Sequence, residues 1–440
     1  MPSELTSSYD RIRVLWPDQF GLPRGKYVPA RHAERGASHC ATTFGTQYDR
    51  SIVPAPGAFL FEGLPDVHAT FDLGDIRPGW DDDRTGVVVG HLSMHGSPFP
   101  YAARYALQRA VADWAALGYR AKVGIELEAY VLEPDGKGGW QRWSTPRAFV
   151  YGTGKFVDPI GLLDEIMRRA ERSGLPVESI NSEFDAAQFE LTLEYDDAVE
   201  AADEAFLFRV LAREAALERG LDLTFLGKPF AGISGSGVHV NFSLVDSDGA
   251  NAFSDPSDPD GMSSLMRHCL AGLVAHHEGL TALCAPTVNA YRRLRPGELC
   301  GYWATWGHDH RVAANRVPPT RGPGTRIESR LGDGAANIHT ASAAVLQAAR
   351  LGVVGSLPCP PPLVEDGFEN VNTERCVADN LSAALDDLEA DAELIAAVGP
   401  ELVANFVANK RDEWRRYVEA VGEPSDDISE WELAEYLPFH

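Results

Sequence analysis

The sequence predicts an α+β protein of two unequal parts, and three observations carry that reading. At 440 residues the chain exceeds the length at which a single core usually stops growing. Its first hundred residues are rich in Gly and Pro and read as short strands, whereas the remainder mixes alternating strands with long helical segments. Apolar content of 44% and charged content of 23% are those of a globular chain able to bury a sizeable core. The expected division is a sheet domain over residues 1–100 and a larger domain over 101–440.

Strands are expected in the first part at Arg11–Trp16, Gly25–Pro29, His68–Asp75 and Thr85–Leu92. His95–Tyr101 (HGSPFPY) reads as the linker, because its prolines and glycine oppose regular structure. Tyr101–Leu117 has helical spacing, with Tyr105, Val111 and Trp114 on one face and Gly118 as the stop. A strand follows at Ala121–Leu132. Further helices are expected at Pro159–Ser173, Ala198–Arg219, Gly261–Leu283, Leu381–Ala396 and Glu401–Val421, and strands at Asp185–Leu193, Thr224–Leu226 and Gly237–Leu244. The acidic stretch Glu423–Glu435 reads as a solvated terminal helix.

A formal net charge of −25 argues against a nucleic-acid partner, which needs a basic face to displace counterions. The six cysteines lie far apart with no CxxC pair, so neither structural zinc nor a disulfide framework is expected. No basic-then-apolar leader and no apolar run of bilayer length is present, so no membrane partner and a cytoplasmic address are expected.

Chemistry concentrates in a few blocks. In Thr325–Ala344 (TRIESRLGDGAANIHTASAA), strand alternation turns Glu328 and Arg330 to one side and Ile327 and Ser329 to the other; a Gly332–Gly334 turn and an Ala-rich helix over Ala335–Ala349 follow. GIELEAY puts Glu126 and Glu128 on one strand face, a pair of like charges that a divalent cation would neutralise. ESINSEFDAAQFELTL supplies Glu183 and Glu190, and GSGVHVNFS supplies His239 behind a glycine loop. Five Glu and one His are a donor set for two divalent metals clamping nucleotide phosphates. Taken singly, each block is more often a solvated sheet face, a core histidine or a surface salt bridge.

Together, GIELEAY, NSEFDAAQFEL, KPFAGISGSGVHV, NAYRRLRPG and RIESRLGDGAAN resemble, in order and spacing, the glutamine synthetase family, type I branch, over essentially the whole chain. The resemblance implies an N-terminal β-grasp domain, a catalytic domain of antiparallel strands and helices, and stacked hexameric rings with active sites between subunits. It implies that Glu128, Glu183 and Glu190 hold one metal and Glu126, His239 and Glu328 a second, two or more Mg2+ or Mn2+ per site. Arg293, Arg311 and Arg330 are implied as the catalytic guanidiniums for substrate carboxylate and transferring phosphate, where planar forks suit both groups. Glu178, Asn181, Tyr195, Ser243, Arg316 and Arg326 are implied around ATP, and Ser234 and Gly235 around L-glutamate. The implied chemistry is a ligation through γ-glutamyl phosphate.

One region departs from the family. Glutamine synthetases hold ammonium with an aspartate in an N-terminal DGSS-like loop and a flap glutamate shortly after the YKRLVPG-type block. Here the flap position falls on Leu299 in RPGELCGYW, with Glu298 one residue early, and Asp49 in YDRSIVPAP is the candidate for the aspartate. Ammonium needs anionic groups to hold it, whereas a larger amine with an apolar body suits such a replacement. Leu299, Trp303 and Phe59 or Phe61 are the candidates to meet that body. The resulting expectation is an ATP-dependent glutamate–amine ligase resembling the γ-glutamylpolyamine, γ-glutamylmonoamine and γ-glutamylanilide synthetases. An ammonia-using glutamine synthetase and a catalytically silent structural relative are the alternatives.

Overall fold

Strand β1 (Arg11–Pro17) faces two ways, as the period of two requires. Ile12, Val14 and Trp16 bury into a small core with Phe44, Val67, Val88 and Phe99, while Leu15 on the opposite side joins the core of the rest of the chain. The computed structural model describes residues 7–422, 425 and 427–440. In it β1 pairs antiparallel with β2 (Pro23–Pro29) and parallel with β6 (Thr85–Val89), and β5 (Arg77–Pro78) closes that sheet. The second sheet runs β3 (Ala37–Cys40), β4 (Asp66–Thr70), β7 (His91–Met94), β8 (Ser97–Pro98). A parallel central pair with antiparallel flanks is the mixed sheet expected of a β-grasp. The expected single strand Thr85–Leu92 is two, because the chain passes between the sheets at Gly90, whose N–H donates to Leu15 O at 2.8 Å. The expected strand His68–Asp75 ends at Thr70 and gives way to a 3-10 turn at Leu73–Asp75.

The larger part is organised on β9 (Arg120–Pro134), fifteen residues long and central to a ten-stranded sheet. The strand path is β11 (Val177–Ser182), β12 (Gln188–Leu193), β9, β15 (Val238–Val245), β18 (Ile327–Ser329), β17 (Asn315–Val317), β16 (Trp306–His308). β10 (Trp140–Arg142), β13 (Asp196–Asp197) and β14 (Asp222–Thr224) also pair with β9. Pairing is antiparallel apart from β16–β17. The strand expected at Thr224–Leu226 is β14, which ends rather than begins at Thr224.

Helices α1 (Ala103–Ala116), α2 (Leu162–Arg172) and α3 (Ala198–Glu218) pack with α7 (Ile338–Val354) behind this sheet. Every residue from Ile338 to Ala349 is buried, which explains the run of small side chains. Where α4 (Ser264–Ala275) crosses α7, a Cβ on Gly272 would lie 2.2 Å from Ala348 O, so the close approach requires glycine. The helix expected over Gly261–Leu283 breaks into α4 and α5 (His277–Cys284), and short α6 (Ala290–Arg293) follows. That expected over Leu381–Ala396 breaks into α8 (Leu381–Ala390) and α9 (Ala392–Val398). The two breaks hold each other: His276 Nδ1 lies 2.7 Å from Asp391, whose carboxylate also accepts the Leu394 N–H to cap α9.

α10 (Pro400–Val421) and α11 (Glu430–Tyr436) complete the chain, α11 opening on a Ser429–Glu432 capping box. The expected terminal helix is thus shorter than Glu423–Glu435, and residues 423, 424 and 426 lie outside the described residues. Tyr48 reaches His440 Nε2 at 2.8 Å, tying the last residue to the N-terminal part. Among the described residues, no helix is long and apolar enough to cross a membrane.

Candidate active site

The sheet register assembles the acidic wall. On β9, Glu126 stands opposite His239 of β15 and Thr192 of β12, and Glu128 opposite Glu190 of β12. Two residues along β15, Asn241 stands opposite Glu328 of β18, which in turn faces Arg316 of β17. Opposed residues share a face, so one side of four adjacent strands presents four carboxylates, an imidazole and an amide. The donor atoms of Glu126, His239 and Glu328 lie within 4.8 Å of one another, and so do those of Glu128, Glu190 and His239. The histidine belongs to both groups.

Contacts within the wall are tight. His239 Nδ1 is 2.9 Å from Glu126, and Asn241 donates to the same carboxylate at 2.9 Å. Glu328, 1% exposed, accepts from Arg316 at 2.7 Å and from Arg330. The Gly237 N–H donates to Glu128 at 2.7 Å. Charge is not balanced on the Glu190 side. Burial, reinforced by the charge of Glu126, pushes Glu190 up to about 7, and burial followed by the charge of Glu128 raises Glu183. Burial opposes ionisation of Glu126 as well, but the hydrogen bond and charge of His239 hold it at about 2.

These residues fit divalent cations. Hard cations take oxygen ligands, and carboxylates short of a neutraliser are what such a site offers before loading. His239 Nε2 is buried, has no hydrogen-bond partner and lies 3.7 Å from Glu128, which leaves that nitrogen available as a ligand on the side of Glu128.

Two cavities flank the wall. One of about 220 Å³ is lined by Glu126, Glu178, Tyr195, Asn241, Ser243 and Arg326, bringing together four of the six residues expected around the nucleotide. The other two lie elsewhere: Arg316 binds Glu328 and Asp309 within the wall, and Asn181 is on β11 opposite Glu190. The second cavity, of about 410 Å³, is lined by Glu128, Glu183, Glu190, Ser234, Gly235, His239, Arg293, Leu299, Arg311 and Arg330. It therefore gathers the substrate-side residues expected from sequence.

The glycine block GSG has a steric explanation. A Cβ on Gly235 would lie 2.8 Å from Arg293 Cγ, and one on Gly237 would lie 2.5 Å from Arg293 Nη2. The arginine stem runs over both residues, and only glycines leave it room. The loop beneath is held by three side chains that the sequence reading passed over. Asp185 accepts the Ser234 N–H at 2.7 Å, the Tyr130 hydroxyl donates to Ser234 O at 2.9 Å, and Gln188 donates to Gly235 O at 2.9 Å. Asn241 was also missed, although its spacing of two from His239 already put it on the same face.

The expected amine contacts divide. Leu299 lines the second cavity, and so does Glu298: the turn from Arg295 to Glu298 brings both neighbours to the same space. Phe59 packs on Phe99 and Tyr101 in the N-terminal core, and Trp303 stacks edge-on against Tyr302; neither lines the cavity. Phe61 is 81% exposed. Asp49 accepts from Ser51 and pairs with Arg416 at 3.4 Å. Lining residues not foreseen include Tyr151, Phe184 and Phe368.

Comparison with known proteins bears on this geometry. Residues 100–436 match the family described as glutamine synthetase, catalytic domain. The chain is 31% identical over 455 residues to a glutamine synthetase of Pyrococcus abyssi, covering 99% of this chain and 98% of that one. Against the glutamine synthetase of Clostridium saccharobutylicum it is 33% identical over 439 residues, covering 97% and 95%. Solved structures of GmaS without ligand and of a GmaS/ADP complex superpose with TM-scores of 0.84 and 0.82, each at 28% identity and over 99% of both chains. With its catalytic-domain match and full-length relatives, the chain belongs to the glutamine synthetase family of ATP-dependent ligases.

Proposed function

We propose that the protein joins the γ-carboxylate of L-glutamate to an organic amine, consuming ATP and giving a γ-glutamylamide, ADP and phosphate. The observation that carries this reading is the apolar mouth of the second cavity, where half-exposed Leu299 stands with Tyr151, Phe184 and Phe368, a lining suited to an amine with a carbon body. Structural similarity to GmaS, a γ-glutamylmethylamide synthetase, supports it. The ring assembly and the division at residue 100 expected from sequence form part of the same proposal.

In this mechanism ATP occupies the smaller cavity, between Tyr195, Ser243 and Arg326, and glutamate the larger. The wall of Glu126 and His239 separates them, so the terminal phosphate is delivered across it. Glu126, His239 and Glu328 would hold one cation, and Glu128, Glu183 and Glu190 another; when bound, they neutralise charge spreading over the phosphoryl oxygens. Arg330 and Arg293 aim guanidiniums at the same space, and Arg330 Nε and Arg293 Nη1 are buried without partners, free to bind carboxylate or phosphate oxygens. Arg311 at the rim adds a third positive charge. Gly235 and Ser234 present a loop pinned by Asp185, Tyr130 and Gln188, which fixes the amino-acid end of glutamate. Phosphorylation of the γ-carboxylate creates an acyl donor, and the amine then displaces phosphate. Exclusion of water while the amine is bound would protect that donor from hydrolysis.

The ammonia-using alternative draws on the relatives of similar sequence, which are named glutamine synthetases. One screen separates them. Phosphate release with ATP and glutamate is measured across ammonium, short alkylamines, ethanolamine, polyamines and aromatic amines. The proposal expects an organic amine to exceed ammonium; ammonium turnover equal to or above every organic amine would establish the alternative.

A further inference from the structure

Arg316 stands between two carboxylates. In the register of β17 against β18 it faces Glu328, and its Nη1 donates to Glu328 Oε2 at 2.7 Å. Its other edge is taken by Asp309, whose Oδ1 accepts from Nε at 3.0 Å and from Nη2 at 2.5 Å. Glu328 Oε1 accepts from Arg330, so Asp309, Arg316, Glu328 and Arg330 form a row of alternating charge. The row runs from solvent into the wall: the Asp309 side chain is 52% exposed, that of Arg316 12% and that of Glu328 1%. A guanidinium is a planar fork, and one bond to Glu328 leaves its plane free to turn. The pair of bonds to Asp309 removes that freedom. Three N–H groups of Arg316 are then used, which leaves one on each Nη for a further acceptor.

Asp309 reaches this place at a backbone cost. Its φ is 48, in the left-handed region that aspartate and asparagine tolerate and that glycine adopts with ease. Its N–H donates to Val317 O at 2.9 Å, and His310 Nε2 donates to Glu365 O at 2.8 Å, so the turn after β16 is pinned around it. A glycine would make this turn more easily but could not hold the arginine. Arg311, which lines the second cavity, is two residues further on.

We infer that Asp309 is a positioning residue for the nucleotide: it fixes the Arg316 guanidinium so that the two remaining N–H groups meet the phosphates of ATP where they cross the wall, while Nη1 supports the cation ligand Glu328. The inference rests on the ligase reading, in its assignment of Arg316 to phosphate and of Glu328 to a cation. It holds whether the acceptor is ammonia or an organic amine. Asp309 itself touches no reactant, and its effect passes through Arg316.

The test separates the side chain from the turn. Both bonds to Asp309 end on Oδ1, an oxygen that asparagine also carries, and asparagine tolerates the same φ. Phosphate release is measured on the full-length enzyme with ATP, glutamate, Mg2+ and the best acceptor. Asp309→Gly is expected to lower kcat by about tenfold or more and to raise KM for ATP, with KM for glutamate within about twofold of wild type, because a displaced orienting group acts on the step it serves. It should melt no lower than wild type, since glycine suits the turn. Asp309→Asn is expected to stay within about threefold of wild type, the rescue that an oriented arginine predicts. In an Arg316→Ala background, Asp309→Gly should cost nothing further. Asp309→Gly at the wild-type rate, or Asp309→Asn as slow as Asp309→Gly, would overturn the inference. So would losses that add in the double variant, or a rise in glutamate KM alone, which would make Asp309 a turn residue serving Arg311. An Arg316→Ala enzyme with unchanged kcat and ATP KM would defeat the underlying assignment of Arg316, a result separate from a slow Arg316→Ala enzyme whose loss Asp309→Gly does not share.

Discussion

Replacing Gly237 by alanine tests the arginine slot. The new methyl would lie 2.5 Å from Arg293 Nη2, 3.2 Å from its Cζ and 3.3 Å from His239 Nε2. Non-bonded heavy atoms settle near 3.5 Å, so the guanidinium must retreat by about 1 Å. The obstacle is the far end of a flexible side chain, so the fold accommodates it by moving the arginine tip rather than the backbone. For a group that orients a reacting substrate, a displacement of about 1 Å can cost about a hundredfold in rate, or about 2.7 kcal/mol of barrier. The assay is phosphate release with the best amine, beside nucleotide binding and thermal melting of the same sample. A fall of that order in kcat/KM is expected, with nucleotide binding and melting little changed, because the nucleotide cavity does not include Arg293. Gly74→Ala, with nothing within 4 Å of its added methyl, serves as the neutral control. A Gly237→Ala enzyme within about threefold of wild type would refute the assignment of Arg293 to the substrate.

Two further outcomes are expected. Glu328→Gln keeps the side-chain volume but turns an amide toward two guanidiniums; phosphate release should fall on the order of a hundredfold or more, with weaker Mn2+ affinity, and normal turnover would remove Glu328 from the metal wall. His440 is buried, and burial, with the charges of Arg209 and Lys410, holds its pKa well below 6.5. The unfolded chain therefore binds a proton that the folded one refuses, so its contribution is complete above pH 6.5 and is lost as pH falls below it, by up to about 1.4 kcal/mol per pH unit until the folded imidazole titrates. Melting of His440→Gln should change less between pH 8 and pH 5 than that of wild type; parallel curves would refute this.

Some of the site was legible in one dimension. Period-two alternation put Glu126 beside Glu128, and Glu328 beside Arg330, without any knowledge of partners, because a strand fixes the side from which each residue projects. Five blocks in order pointed to the family, and the long strand β9 and the helices behind it followed from their patterns. Breaks were less legible: His276 and Asp391 interrupt helices because they bond to each other across 115 residues, which no local window contains.

What the sequence by itself determined, then, is which side chains leave each strand together and which chemistry they are suited to. Only the tertiary structure decided which strands meet. The pairing of Glu126 with His239, of Glu190 with Glu128 and of Asn241 with Glu328 depends on register between distant segments, and a slip of one residue would turn each carboxylate into the core. The same holds at the mouth, where one residue of shift along the chain left Glu298 facing the same cavity as Leu299. A turn's path, set by Gly297 and by packing around it, decides where a side chain points; its position in a motif does not.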